Sequence, residues 1–193
     1  MSIKEINQLL ADKGSHLIAG CISGERASQA ELYNQYAAKM MGVCLWYARN
    51  REEAEEILQD GFMRVFTYIN KFKNEGSFEG WIRRIMVSAA LSKYRNKSYQ
   101  LKPVLLYDPD VHDLRDNIDA SSSYDEKELV KLVQTLSPAY RMVFNLYVFE
   151  GMKHREIAEA LSISESTSKS NLTDARKILQ AALVPNKKKV AQS

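Results

Sequence analysis

The sequence has little of what staples or punctuates a chain. Its 193 residues hold 8 Gly and 4 Pro. Strand-like alternation of apolar and polar residues is missing too, which excludes a sheet built on frequent tight turns. Cysteine occurs only at Cys21 and Cys44, with no CxxC pair. A disulfide framework is excluded, and the two thiols read as reduced residues of helix cores. His16, His112 and His154 are scattered, so no metal site is expected. No apolar run approaches the ~20 residues of a membrane span. The first residues lack a basic stretch followed by an apolar one, so no signal peptide is expected. The chain reads as soluble and cytoplasmic, without membrane insertion. It has no Gly-rich phosphate loop and no nucleophile set beside a base. No catalytic residue, cofactor or enzyme activity is therefore expected.

What is present is helical patterning, with 45% hydrophobic residues to build cores. An opening helix is expected over residues 2–20. A second, over 27–47, carries Leu32, Tyr36, Met40 and Val43 at steps of four, four and three. A third begins near Arg51. Its Ala54, Ile57, Leu58, Gly61, Phe62, Val65, Phe66 and Ile69 form a broad apolar stripe, with Glu56, Gln59, Asp60, Met63 and Thr67 opposite. Residues 70–76 read as a loop. Ser77 is a candidate cap for a fourth helix, whose Ile82, Ile85, Met86 and Ala89 bury one side while Arg84, Ser88, Leu91 and Arg95 align on another. The pattern then breaks. Between Asn96 and Glu126 stand Pro103, Pro109 and seven Asp or Glu against three Lys or Arg, the composition of a flexible acidic linker. Helices resume with Leu129, Leu132, Val133 and Leu136. Ser137-Pro138 is a capping serine before a first-turn proline. A short helix over 155–161, a turn at Ser162–Ser164 and a long last helix from Glu165 follow. Lys187–Lys189 read as a solvated tail.

The net charge of +3 is too small to mark a nucleic-acid binder, so its distribution must carry that argument. Residues 71–102 hold eight Lys or Arg against two Glu, interleaved with Phe72, Phe78, Trp81, Tyr94 and Tyr99. Positive charge follows a phosphate backbone and aromatic faces stack on unpaired bases, a mix suited to a melted strand. The alternative is that Phe78 and Trp81 are core and the basic residues merely solvated. Near the far end the pattern is a helix-turn-helix. Ile157, Ala158 and Leu161 face inward from its first helix, and Leu172, Ala175 and Leu179 from its second. Ser166, Ser170, Thr173 and Lys177 point the other way, with Lys169 on the flank. Small hydroxyl side chains with Lys allow approach to base edges and phosphates in a major groove. The alternative is a helical hairpin with a polar outer face. In the acidic cluster Glu52, Glu53, Glu55 and Glu56, the first two suit the start of a helix macrodipole. Continued by Gln59, Asp60 and Met63, this face is either solvated or a docking surface.

At these residues the chain resembles the extracytoplasmic-function sigma factors, a group of the sigma-70-type bacterial initiation factors. The resemblance runs from about Gly24 to Leu183. Gly24-Glu25-Arg26-Ala27 with Leu32-Tyr33 is similar to the opening segment of the family. Ala54-Glu55-Glu56-Ile57-Leu58-Gln59-Asp60-Gly61-Phe62 is similar to its next signature, and Phe78, Trp81, Ile82, Ile85 and Arg95 to a third. Leu136-Ser137-Pro138, Arg141, Glu156-Ile157-Ala158, Leu161, Thr167, Ala175-Arg176 and Leu179 resemble its C-terminal domain.

The resemblance implies an all-α fold of two small helical domains. Residues 24–97 would be sigma region 2 and 126–183 sigma region 4. A flexible acidic linker at 98–125 would join them, with an N-terminal extension at 1–23 and a basic tail at 184–193. The implied function is transcription initiation, in which the chain binds core RNA polymerase and directs it to promoter DNA. Glu56, Gln59, Asp60 and Met63 would meet the clamp helices of the largest subunit. Lys71, Phe72, Lys73, Asn74, Trp81, Arg84 and Ser88 would recognise and open the minus-ten element. Ser166, Thr167, Lys169, Ser170, Thr173 and Lys177 would read the minus-thirty-five element, while the domain also rests on the polymerase flap. An anti-sigma factor is a further candidate partner.

Some positions depart from the family pattern. Ser88 and Ser92 stand where Asn and Asp are usual. Ser168 replaces a usual Val, which weakens the packing stripe. Asn171 and Asp174 stand where basic residues are common, which weakens the positive face. Lys153 replaces a capping Ser, which leaves the first helix of the motif without that acceptor. A helix-turn-helix regulator that binds duplex DNA by itself is the competing class. The chain lacks the dimerisation heptads and ligand domain expected of one.

Overall fold

Local side-chain chemistry fixes where several helices begin. Asn50 Oδ1 accepts the Glu53 N–H at 3.0 Å. Ser77 Oγ accepts the Gly80 N–H and Ser137 Oγ the Tyr140 N–H, both at 3.4 Å. Ser164 Oγ accepts the Thr167 N–H at 3.0 Å. Each supplies an acceptor to a first-turn amide that has no partner within its helix. Lys153 has no such oxygen, but the carboxylate of Glu156 reaches back to the Lys153 N–H at 2.6 Å. This satisfies the amide of Lys153 itself, one half of a capping box; the first-turn amides of α7 receive no side-chain acceptor from position 153, as the loss of the serine implies.

The computed structural model describes residues 15–73, 76–98 and 126–190. Helix α1 is seen over residues 15–22. It is followed by α2 (Arg26–Tyr47), α3 (Arg51–Tyr68) with a 3-10 turn (Ile69–Lys71), and α4 (Phe78–Ser98). After the linker come α5 (Glu126–Gln134), α6 (Pro138–Val148), α7 (His154–Leu161) and α8 (Glu165–Val190). No strand occurs among the described residues, as the all-α expectation requires. Asn74, the linker residues 99–125 and the first part of the opening helix lie outside them. Residues 187–189, expected in a tail, belong to the last turns of α8.

In the N-terminal module, α2, α3 and α4 close around Leu32, Met40, Ile57, Val65, Ile82 and Met86. Gly61 permits the approach of α3 to α4, because a Cβ there would fall 2.1 Å from Met86 Sδ. Helix α4 departs from its expected two faces. Val87, Ala90 and Leu91 are buried along with Ile82, Ile85, Met86 and Ala89. Leu91 is therefore core, and α4 is the central helix of the module, apolar on most of its circumference.

In the C-terminal module, Val133, Leu136, Ala175 and Leu179 form one cluster between α5 and α8. The turn between α7 and α8 passes through Ser162 in the left-handed region, at φ 55°, and closes with Ile163 N–H donating to Ala158 O at 3.0 Å. Such a turn gives α7 and α8 their abrupt change of direction.

The two helical modules, expected as two small domains joined by a flexible linker, pack together. Met142, Val143, Leu146, Ile157, Leu161 and Leu172 join the same buried cluster as the core of the first module. Backbone accounting explains part of the seam. The last turn of α2 leaves carbonyls without helical partners. Gln134 Nε2 donates to Leu45 O at 3.0 Å, and Asn145 Nδ2 to Trp46 O at 2.6 Å. The C-terminal module thereby completes the end of α2. Among the described residues no helix is long and apolar enough to cross a membrane.

Candidate functional site

Three exposed faces carry the residues singled out from sequence. The first is the outer side of α3. Gln59 and Asp60 are exposed, and Met63 is 68% exposed, unusual for so large an apolar side chain. Glu56 is exposed and pairs with Lys93 of α4. Asp60 lies 3.4 Å from Arg64, whose guanidinium also donates to Ser92 Oγ at 3.2 Å. Ser92, where Asp is usual in the family, thus anchors α3 to α4. Glu53 does more than complement the macrodipole. It is buried, and its carboxylate accepts from the backbone and side chain of Arg49 at 2.7 and 3.0 Å.

The second face surrounds the junction of the 3-10 turn with α4. Lys71, Lys73 and Arg84 are exposed, and Phe72 and Ser88 are half-buried. Lys71 Nζ lies 4.9 Å from the centre of the Tyr68 ring. Phe72 packs on Phe78 and Trp81, with ring centres 4.9 and 5.6 Å away, and Phe78 stacks on Trp81 at an interplanar angle of 13°. Trp81 is only 3% exposed, so its indole cannot serve as a stacking face in this conformation. The core alternative holds for Trp81, which backs Phe72 from beneath. Its Nε1 is buried without a partner among the described residues.

The third face is the outer side of α8. Ser166, Thr167, Lys169, Ser170, Thr173 and Lys177 are all exposed, while Leu172, Ala175 and Leu179 are buried opposite them. The hydroxyls are occupied locally. Ser164 Oγ lies 2.8 Å from Ser166 Oγ and 2.7 Å from Thr167 Oγ1. Ser170 and Thr173 donate to the carbonyls of Thr167 and Lys169, each at 3.0 Å. Lys169 pairs with Glu165 at 2.7 Å, and its hydrogen bond and charge hold the Glu165 carboxyl below its ordinary value. Lys177 lies 3.9 Å from Asp174, so the acidic departure at 174 draws one lysine along the helix.

Ser168 is fully buried under this face. The apolar contact a Val would make is replaced by a hydrogen bond between Ser168 Oγ and His154 Nδ1 at 3.0 Å. His154 stacks on Tyr147, with ring centres 4.9 Å apart, and Arg176 lies over Tyr147 at 5.4 Å. One polar and aromatic chain therefore sets α8 against α6 and α7. His154 carried no signal in sequence, since its partner is 14 residues away and on another helix.

Sequence pattern also did not reveal Glu150. Its Oε1 accepts from Tyr47 Oη at 2.7 Å and its Oε2 from Arg83 Nη1 at 2.5 Å. Burial, then the neighbouring Glu150 charge, pushes the Tyr47 hydroxyl well above the ordinary tyrosine range. These partners are 103 and 67 residues from Glu150, beyond the reach of any local periodicity.

Two family models match the chain. The model of Sigma-70 region 2 matches residues 32–99, and that of Sigma-70 region 4 matches residues 126–179. The ECF RNA polymerase sigma factor SigE of Mycolicibacterium smegmatis is 26% identical over 166 residues, which is 84% of this chain and 64% of that protein. The chain thus spans less than two thirds of that relative's length. The RNA polymerase sigma-H factor of Pseudomonas aeruginosa is 21% identical over 92% of this chain and 97% of its own. The ECF RNA polymerase sigma factor SigW of Bacillus subtilis is 26% identical over 83% and 91%. The solved structure of the sigma factor RpoE in complex with the anti-sigma factor NepR from Bartonella quintana aligns over 80% of this chain and 95% of that chain, with 18% identity and a TM-score of 0.48.

Proposed function

Because the chain belongs to the extracytoplasmic-function group of sigma-70-type RNA polymerase sigma factors, which direct the polymerase to promoters, we propose that its three faces divide the work of initiation. The outer side of α3, with Glu56, Gln59, Asp60 and the protruding Met63, docks on the clamp helices of core RNA polymerase. An exposed apolar side chain ringed by polar ones is the composition of an interface anchor. Lys71, Lys73, Arg84, Phe72 and Ser88 engage the minus-ten element, where Phe72 offers the aromatic face and Trp81 supports it from below. The outer side of α8 reads the minus-thirty-five element, with its module resting on the flap. The chain supplies no reacting group, because the polymerase performs the chemistry. It acts in the cytoplasm, where the polymerase is, and an anti-sigma factor is a candidate partner.

The observation that carries this reading is the two-sidedness of α8. Six small hydroxyl or lysine residues are exposed on one side and an apolar stripe is buried on the other. That side fits a major groove without steric obstruction, and its hydroxyls can rotate from their local acceptors to base edges or phosphates. The test is run-off transcription by core polymerase plus this chain on a randomised promoter library, beside co-elution of the two proteins. Co-elution with selection of two separated sequence blocks is expected. Failure to co-elute, together with dimeric binding of duplex DNA by the chain alone, would instead identify a helix-turn-helix regulator.

A further inference from the structure

Each lysine on the outer side of α8 is answered by a carboxylate on the same helix. Lys169 Nζ lies 2.7 Å from Glu165, and Lys177 Nζ lies 3.9 Å from Asp174. The two pairs are not equivalent. Glu165 is held at hydrogen-bond distance. A separation of 3.9 Å is longer than any hydrogen bond, so the Asp174 oxygens keep their acceptor capacity. Asp174 is also turned outward. At about 100° per residue it falls about 40° from Ser170, with Lys177 about 20° to the other side of that serine. Leu172, Ala175 and Leu179 are buried on the far side, while the Asp174 side chain is 46% exposed. A carboxylate thus stands within the face proposed to meet DNA, at a position where basic residues are common in the family.

We propose that Asp174 is a base reader that selects cytosine at one position of the upstream element and disfavours the other bases there. The inference rests on the reading of α8 given above. An ionised carboxylate has only acceptors. On the major-groove edge, cytosine presents the N4 amino group, guanine the acceptors N7 and O6, and thymine the acceptor O4. Adenine sets its N6 amino group beside the N7 acceptor, so it ranks second. Between two phosphate strands a carboxylate is repelled, and Lys177 at 3.9 Å offsets only part of that repulsion. The contact is favourable only where an amino group faces Asp174. Guanine or thymine sets acceptor against acceptor, so the residue works by exclusion as much as by attraction. A basic side chain at this position makes the opposite choice, because its donors fit guanine N7 and O6. Asp174 lies four residues beyond Ser170, about 6 Å along the helix axis. That is close to two base-pair rises of about 3.4 Å, so the two side chains address different positions.

The test is run-off transcription by core polymerase with the full chain, on promoters randomised across the upstream element. The unaltered chain is compared with Asp174→Asn, which keeps the shape and removes the charge, and with Asp174→Ala. Base preference is read as a ratio within each chain, so it does not depend on the amount of active protein. The unaltered chain should prefer cytosine at one position by at least about fivefold. At that position Asp174→Asn should favour adenine, whose N6 and N7 an amide contacts together, and Asp174→Ala should use all four bases nearly equally. The preference set by Ser170 should stay in place in both variants. If Asp174→Asn instead raises the use of all promoters alike and keeps the cytosine preference, Asp174 merely screens Lys177 and the proposal falls. An upstream preference common to all three chains would also overturn it, while leaving the reading by α8 intact. If no chain shows an upstream preference, the reading by α8 fails and the role of Asp174 fails with it.

Discussion

The two modules solve the burial problem differently. The core of the first is almost entirely apolar, from Leu32 through Val65 to Met86, around a central α4. The second is smaller, yet it holds three of the five buried polar or charged residues among those described, Arg141, Asn145 and Ser168. Each needs a partner, and all three find it outside their own helix. Asn145 reaches the end of α2, and Ser168 reaches His154. Arg141 donates to Leu136 O at 2.9 Å, and its burial pulls its pKa below the ordinary arginine value. Apolar packing is non-directional and tolerates small shifts, whereas a buried hydrogen bond specifies one geometry. The first module is thus built for stability. The second is built for a fixed placement of its last helix.

The largest effect should come from opening a cavity in the first module. Ile82 has no exposed surface, and Ile82→Ala should cost about 2–5 kcal/mol by urea unfolding. A cost under 1 kcal/mol would mean that α4 is not the centre of that core.

Alkaline pH should separate the modules next. Burial pushes the Cys44 thiol from 9.0 up to about 12. The unfolded chain then loses its proton first as pH rises, so this contribution is fully present below pH 9 and is lost progressively between pH 9 and 12. Three pKa units correspond to at most about 4 kcal/mol. Tyr47 shifts in the same direction and adds to the loss above pH 10. Cys44→Ala should flatten the fall between pH 9 and 10, as read by urea midpoints at each pH. An unchanged slope in that variant would place the alkaline transition elsewhere.

The smaller effect belongs to the second module. His154→Leu leaves the Ser168 hydroxyl buried without a partner and should cost about 1–3 kcal/mol. His154→Leu with Ser168→Val removes both polar groups and should return stability to within about 1 kcal/mol of the original. Equal losses in the single and double variants would show that the hydrogen bond does not govern the packing of α7 on α8.

Much of this contrast was legible in the sequence, and the reason lies in distance along the chain. Ser77, Ser137-Pro138 and Ser164 mark helix starts because a cap acts on an amide three residues away. The stripe of α3 emerged because helical periodicity is local. The face of α8 was legible for the same reason, since Leu172, Ala175 and Leu179 define the buried side and leave the serines outside. Trp81 was ambiguous, because an aromatic residue in a basic segment suits a stacking platform and a core equally. Only the packing of Phe72 and Phe78 on it decides for burial. Leu91 was assigned to an open face because two-faced patterning fails for a central helix. Glu150 and His154 were illegible for a common reason. Their partners lie on other helices, and a lone glutamate after a helix or a histidine at the start of one looks solvated until the tertiary contact exists.

The division of labour between the modules can be measured most directly by transcription on matched duplex and pre-melted templates. Ser170→Ala should change the preferred base at one upstream position, at a cost of about 1–3 kcal/mol. Lys169→Ala should weaken all promoters alike and reduce the salt slope by about one unit. On a template already melted at the minus-ten element, holoenzymes carrying either variant should start transcripts as the unaltered one does, because Lys71, Phe72 and Arg84 remain in place on the other module. Equal failure of both variants on duplex and bubble templates would contradict the assignment of upstream reading to α8 and of opening to the first module.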